Sequence, residues 1–285
     1  MKTVILIGAD PEIFVRSSEN AQLISAHNLI PGTKKEPHKV PFGAVQVDGM
    51  ALEFNIDPAS TEEQFKHNIE HVMSSLKSMI VHDFVIEPVA HFGKEFMEQQ
   101  PAEALELGCD PDYDAYTKEP NPRPDGEVPF RTASGHIHVG WGESIPADHP
   151  EHINVCSSFI KTMDHTVGFY MTILDDDNRR RELYGKAGAF RPKSYGVEYR
   201  TPSNVWLTTA RSRRAIFELT LAATRLEQQK VNGLLTQFVD DDEAQRIINE
   251  GDYEKAHAAL VKLFPWRFTN ERKSIDAAFE RRRAA

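Results

Sequence analysis

The chain has 285 residues, with 43 Asp and Glu against 33 Lys and Arg, a formal charge of −10 and a pI near 5.7. That length fits one large domain with a substantial core, and the acidic balance argues against a duplex nucleic-acid binder, which presents a basic footprint. Apolar runs such as residues 3–7 and 79–81 fall far below the roughly 18–20 residues of a membrane span, so no membrane partner is expected.

Val4-Ile5-Leu6-Ile7 follows Lys2 in the manner of a secretory leader, but Asp10 and Glu12 interrupt it, and the stretch is predicted as a first β-strand. Cys109 and Cys156 have no metal spacing, so reduced thiols in a cytoplasm are expected. Residues 21–40 read as a solvated loop whose Lys34 and Lys35 are either within reach of a ligand or plain surface. Residues 45–56 read as a strand. Ser60-Thr61-Glu62-Glu63 then supplies a capping box for a helix with Phe65, Ile69, Val72, Leu76 and Ile80 on its buried side.

Residues 84–92 read as a strand. Residues 108–130 form an aperiodic Pro/Asp/Tyr-rich stretch, predicted as an ordered active-site loop because of its Tyr113, Tyr116 and Phe130. Residues 131–141 read as a strand and 153–174 as a helix, ended by Asp175-Asp176-Asp177. From Thr208 onward the chain is mainly helical, with Ile216, Leu219, Leu221 and Leu226 in one helix and Ile247, Ile248 and Leu260 in another. No repeats or low-complexity tracts occur.

Four strand-like segments carry ionisable groups where a strand is usually apolar: Gly8-Ala9-Asp10-Pro11-Glu12-Ile13-Phe14, residues 47–54 with Asp48 and Glu53, Ser134-Gly135-His136-Ile137-His138-Val139-Gly140, and Val197-Glu198-Tyr199-Arg200-Thr201-Pro202. Charges on a packed sheet are costly unless paired or bound to metal. Asp10 and Glu12 share a face if extended, pre-arranged for a hard cation, or else Asp10 caps a turn before Pro11. His136 and His138 share a face as metal ligands or as two satisfied histidines. Glu198 and Arg200 either serve a metal and a phosphate or pair with each other. Arg179, Arg180, Arg181, Lys186, Arg191 and Lys193 concentrate positive charge, in part against the neighbouring aspartates.

Together these residues form an inventory for two or more Mg²⁺ or Mn²⁺ ions clamping a nucleoside triphosphate. P-loop, Rossmann and Gly-x-Ser-x-Gly motifs are all missing from the sequence.

In order and wording the four segments resemble the glutamine synthetase superfamily of carboxylate-amine ligases, and more narrowly the phage-associated COOH·NH₂ ligase type 2 group, with Gly8-Ala9-Asp10-Pro11-Glu12 and Gly108-Cys109-Asp110-Pro111-Asp112-Tyr113. The resemblance covers about residues 1–210. It implies Asp10, Glu12, Glu53, His136 and Glu198 as metal ligands and His138 near the nucleotide. Arg200 and an arginine of 179–181, Arg180 foremost, would meet phosphates or an acyl phosphate, with Arg179, Arg181, Lys186 and Arg191 beside the nucleotide. Two departures stand out. The family's additional glutamate falls at Val45, unless Asp48 replaces it, and the β-grasp domain that completes the glutamine synthetase site is missing.

The expectation is therefore an α+β fold with a curved, mainly antiparallel sheet, acidic on its concave face and helix-packed on its convex one, forming a single catalytic domain over residues 1–285. The expected activity is ATP-dependent amide-bond formation between small-molecule or peptide carboxylates and amines, in the cytoplasm, of the host if phage-encoded, with a homo-oligomer left open. Two alternatives use the same residues: a metal-dependent phosphoester hydrolase, and a cupin-like binding protein in which Glu143 would follow His136 and His138.

Overall fold

The computed structural model describes residues 4–105, 112–122, 128, 130–142 and 145–268, the side chains of 266 and 267 excepted. Its strands are β1 (Leu6–Arg16), β2 (Leu23–Ile24), β3 (His38–Val40), β4 (Gly43–Asp48), β5 (Ala51–Ile56), β6 (Asp83–Val85), β7 (Val89–His91), β8 (Tyr113–Asp114), β9 (Phe130–Thr132), β10 (Gly135–Gly140), β11 (Ala189–Lys193) and β12 (Gly196–Tyr199). The helices are α1 (Glu62–Met79), α2 (Lys94–Glu98), α3 (Ala102–Leu105), α4 (Pro150–Met163), α5 (Phe169–Leu174), α6 (Arg179–Leu183), α7 (Ala210–Gln228), α8 (Asp241–Glu250), α9 (Tyr253–Leu263) and α10 (Pro265–Phe268).

Ten strands form one sheet in the order β3-β4-β5-β1-β10-β12-β11-β8, with β2 and β6 paired to the end of β1. Every ladder in it is antiparallel. β7 and β9 make a separate ribbon. The fold is thus mixed α+β with a large antiparallel sheet and helices.

Period-two alternation assigns the faces of that sheet. Val45, Leu52, Phe54, Ile13, Ile137, Val139, Val197, Tyr199 and Phe190 join the main core with apolar residues of α1, α4, α5, α7, α8 and α9. Gln46, Glu53, Asp10, Glu12, His136, His138, Glu198 and Arg191 occupy the alternate positions. Burying the apolar set dictates the register, because a slip of one residue would move every carboxylate into the core.

The expected elements are present, with corrections at their boundaries. The single strand over 45–56 is a hairpin, β4 and β5, turned at Gly49 with a φ of 56°. The strand over 84–92 is two short ones, β6 and β7, which pair with β1 and β9 respectively. The strand over 131–141 is broken at Ala133-Ser134, where Ala133 N donates to Pro88 O and Glu12 N donates to Ser134 O. The cap of α1 is Thr61, which accepts from Gln64 N at 3.2 Å, while Gln64 Oε1 accepts from Ser60 N at 3.0 Å, one residue before the cap, so the expected reciprocal capping box gives way to a single side-chain cap at Thr61. Ile80, expected inside that helix, is its extended C-cap. The helix over 153–174 starts earlier, at Pro150, and contains a π turn at Asp164–Gly168. Ile247 and Ile248 belong to α8 and Leu260 to α9, separated by Gly251 at a φ of 70°.

Of the aperiodic 108–130 stretch, residues 108–111, 123–127 and 129 lie outside the described residues, as does Cys109. Tyr113 enters β8, and the Tyr116 hydroxyl is anchored on buried Asp164. Cys156 is a buried thiol that its surroundings push up to about 12, as suits a packing residue.

Candidate active site

Strand pairing assembles the charged positions into rows. Glu12 lies opposite Glu53, which lies opposite Gln46. Asp10 lies opposite His136. His138 lies opposite Glu198, which lies opposite Arg191. Residues drawn from β1, β4, β5, β10, β11 and β12 thus share one face, which floors a cleft of about 740 Å³. Asp10, Glu12, Glu53, His136, Glu198, Arg191 and Arg200 all line it, together with Lys34, Gln46, Asp48 and Lys193.

At one end, ligand atoms of Asp10, His136 and Glu198 lie within 4.8 Å of one another. His136 Nδ1 is 3.4 Å from Asp10 Oδ1 and 3.5 Å from Glu198 Oε1. Asp10 Oδ1 and His138 Nε2 are buried without a well-formed hydrogen bond, although His138 Nε2 is 3.1 Å from Asp10 Oδ2. Two carboxylates and an imidazole converging on an under-bonded oxygen fit a divalent cation. Glu198 is also ringed by cations: Arg200 Nη1 bonds Oε1, and Lys193 Nζ and Arg191 Nη1 reach Oε2 at 2.8 and 3.3 Å. Glu198 and Arg200 thus pair with each other, the second of the two readings of this segment.

The electrostatics divide the cleft in two. Burial would raise Asp10, but the His138 and His136 imidazoles override it and hold the carboxyl well below its usual range. Glu198 is likewise held down, by Arg200 against its own burial. Burial and the adjacent Arg200 guanidinium lower His136 to about 4, leaving a neutral ring able to act as a ligand. Burial and Asp48 push Glu12 up to about 7. Glu53 rises well above the carboxylate range through burial and the charges of Asp10, Asp48 and Glu12. Asp48 is raised too, by burial that its 2.7 Å ion pair with Lys34 only partly offsets. Glu12, Glu53 and Asp48 thus form a region short of positive charge, the condition that a bound cation relieves.

Val45 faces the core and cannot be a ligand, whereas Asp48 lies in the cleft wall with Glu12 and Glu53. Gln46 Nε2 donates to Glu53 Oε2 at 2.8 Å and orients it.

Other candidates are placed differently. His138 lies behind Asp10, with Nδ1 2.6 Å from the Tyr195 hydroxyl, rather than in the cleft wall. Arg179 is exposed on Asp177 and His91. Arg181 donates to Asn178 and Asp175 O, and Lys186 is exposed. Arg180 is 1% exposed and donates to Thr201 O at 2.7 Å, with Ser134 Oγ and Arg200 O each at 3.2 Å. These four side chains are not brought into the cleft wall. Arg180 instead clamps the backbone carbonyls of Arg200 and Thr201 and the Ser134 hydroxyl. The Glu143 of the cupin-like alternative lies outside the described residues.

Sequence reasoning left the role of Lys34 open and missed Gln46, Tyr195 and Arg131. Arg191 and Lys193, cited in the sequence only for their charge, lie two apart on β11 and so share a face. At Gly135 neighbouring chain comes close: an added Cβ would meet Ser203 O and Trp206 Nε1, each at 2.4 Å.

Residues 126–272, just over half the chain, match the family described as Phage phiEco32-like COOH.NH2 ligase-type 2. The chain belongs to this family. The matched span carries His136, His138, Glu198 and Arg200 of this COOH.NH2 ligase, while Asp10, Glu12 and Glu53 reach the same face from strands outside it. The family's name points to a carboxylate-amine ligase. No curated protein matches the chain. Among the described residues, no helix of this COOH.NH2 ligase is long and apolar enough to cross a membrane.

Proposed function

We propose that the charged sheet face is the active site of an ATP-dependent amide ligase acting through an acyl phosphate, within a single catalytic unit on a curved, glutamine synthetase-like sheet. The observation that carries this is the convergence of Asp10, His136 and Glu198 at the floor of a cleft flanked by Arg191, Lys193 and Arg200. Asp10, His136 and Glu198 would hold one Mg²⁺ or Mn²⁺, and Glu12, Glu53 and Asp48 a second. Such ions supply charge neutralisation around the triphosphate and the transferring phosphoryl group.

The reaction would run in two displacements. A carboxylate oxygen of the substrate attacks the γ-phosphorus and ADP leaves. The amine nitrogen then attacks the acyl-phosphate carbonyl, loses a proton and expels inorganic phosphate. Arg200 supplies positive charge over this region and is itself fixed by Asp112, whose Oδ2 accepts from Nε at 3.1 Å. Arg191 and Lys193, both held by Glu198, are positioned for phosphate oxygens. Lys34 tempers the acidic cluster of Glu12, Glu53 and Asp48. Positioning and charge neutralisation, rather than covalent catalysis, would give most of the acceleration. A phage-family enzyme of this kind would act in the host cytoplasm.

The deciding experiment follows ADP and phosphate release from ATP across a panel of carboxylates and amines. Release that requires both a carboxylate and an amine supports the ligase. Metal-dependent phosphoester cleavage with water alone, and no product containing the amine, would favour the hydrolase alternative.

A further inference from the structure

Arg131 is 7% exposed, lines the cleft, and carries a buried charge with no carboxylate among its described partners. Its Nη1 donates to Val128 O at 3.2 Å and Phe130 O at 2.9 Å, and its Nη2 donates to Leu105 O at 3.2 Å. Among the described residues its Nε has no hydrogen-bond partner. Arginine has five N–H donors, so Nε–H and one Nη2–H remain after those carbonyls are served. These two sit on adjacent nitrogens, the arrangement that receives both oxygens of a carboxylate.

The surroundings give the ligand further character. Phe14, Met50, Ala51 and Ala104 form the apolar part of the cleft wall. Between Arg131 and the metal-binding end the wall continues through Thr132 and Ser134 to His136. Five residues of extended chain set an upper limit of about 18 Å on that separation.

Resting on the ligase reading above, we propose that Arg131 is the anchor for a second, non-reacting carboxylate of the substrate, making this enzyme selective for a dicarboxylate whose other carboxyl is activated at the Asp10, His136 and Glu198 end. A monoanion with two oxygens satisfies the two open donors and neutralises the buried guanidinium. A phosphate dianion would exceed both, adding surplus negative charge to a cleft already lined by Glu12, Glu53 and Asp48. The apolar wall suits the methylene segment between the two carboxyls.

The test is calorimetry on the full chain with succinate, glutarate and adipate as probes, and butyrate and inorganic phosphate as controls. It is run with Mg²⁺, in the presence and absence of a non-hydrolysable ATP analogue. At least one dicarboxylate is expected to bind the native protein at least tenfold more tightly than butyrate or phosphate. Arg131→Gln should lose that preference while binding the nucleotide analogue as before. Arg131→Lys, which keeps the charge but not the fork, should also lose it at least tenfold and serves as the variant if Arg131→Gln does not fold. Unchanged dicarboxylate affinity in a folded variant overturns the proposal. So does a native protein that prefers phosphate or makes no distinction from butyrate. Failure of the native protein to bind the nucleotide analogue contradicts the ligase reading instead, and the contrast between dicarboxylate and butyrate still decides the role of Arg131.

Discussion

The Tyr199 hydroxyl donates to Asp164 Oδ1 at 2.6 Å, tying the core side of β12 to the π turn of the long helical segment. Tyr116 donates to the other oxygen, Oδ2, at 2.9 Å. Tyr199 lies between Glu198 and Arg200, so this bond on the core face fixes the strand position of two cleft residues on the opposite face. Tyr199→Phe leaves a buried carboxylate short of one donor and should cost about 1–3 kcal/mol. Urea unfolding measures the loss, and weaker Mn²⁺ binding should accompany it because Glu198 is less well held.

The same carboxylate gives a pH dependence. Burial raises Asp164 from 3.8 to about 7, despite the hydrogen bonds from Tyr199 and Tyr116. In the folded protein it therefore holds a proton over a range in which the unfolded chain has released it. Its stabilising contribution is complete below about pH 4 and is lost as pH rises to about 7. Subtracting the stability profile of Asp164→Asn from that of the native protein should leave a difference that declines across this window and is flat above it. A difference that is level from pH 4 to 7 would contradict the assignment.

Gly135 packs against Ser203 and Trp206, and Trp206 Nε1 donates to Gly135 O at 2.9 Å. A methyl group here collides with backbone on one side and a fully buried indole on the other, with no flexible side-chain end to yield. Gly135→Ala should destabilise by about 1–3 kcal/mol or more. It should also weaken metal binding, since His136 is the next residue. Denaturation midpoints and Mn²⁺ titration of the same variant read both effects.

Crowding of Glu12, Glu53 and Asp48 at carboxylate-raised positions predicts that cations stabilise the fold. Ligand at a hundredfold excess over its dissociation constant adds about 2.7 kcal/mol. Mg²⁺ or Mn²⁺ should therefore raise Tm, and Ca²⁺-free, chelator-treated protein should melt lowest. Glu53→Gln removes a carboxyl whose ionisation burial and the neighbouring carboxylates oppose, and it should reduce the rise in Tm on adding metal.

Much of this site was legible because core burial and chemistry impose the same alternation. Ile13, Ile137 and Val197 must face the helices, so Asp10 with Glu12, His136 with His138, and Glu198 must face away. Cross-strand register was not legible: Glu12 opposite Glu53, and Asp10 opposite His136, depend on pairing between segments far apart in sequence. The placement of the run Arg179-Arg180-Arg181 was not legible for a related reason. Its charge density suggested phosphate binding, but α6 turns Arg180 onto backbone carbonyls that only the folded chain brings together. Lys34 sits in a loop with no periodicity, and only its ion pair with Asp48 places it in the cleft. Arg131 carried no signal at all, since its significance lies in which of its donors the surrounding carbonyls leave unserved.

The measurement that bears most directly on the central claim is calorimetric binding of a non-hydrolysable ATP analogue to the native protein, Asp10→Asn and Glu198→Gln, each with and without Mn²⁺. The account predicts metal-dependent binding by the native protein that falls at least tenfold in both variants while their folds persist. Binding by the native protein that needs no metal, or that survives unchanged in both variants, would contradict it.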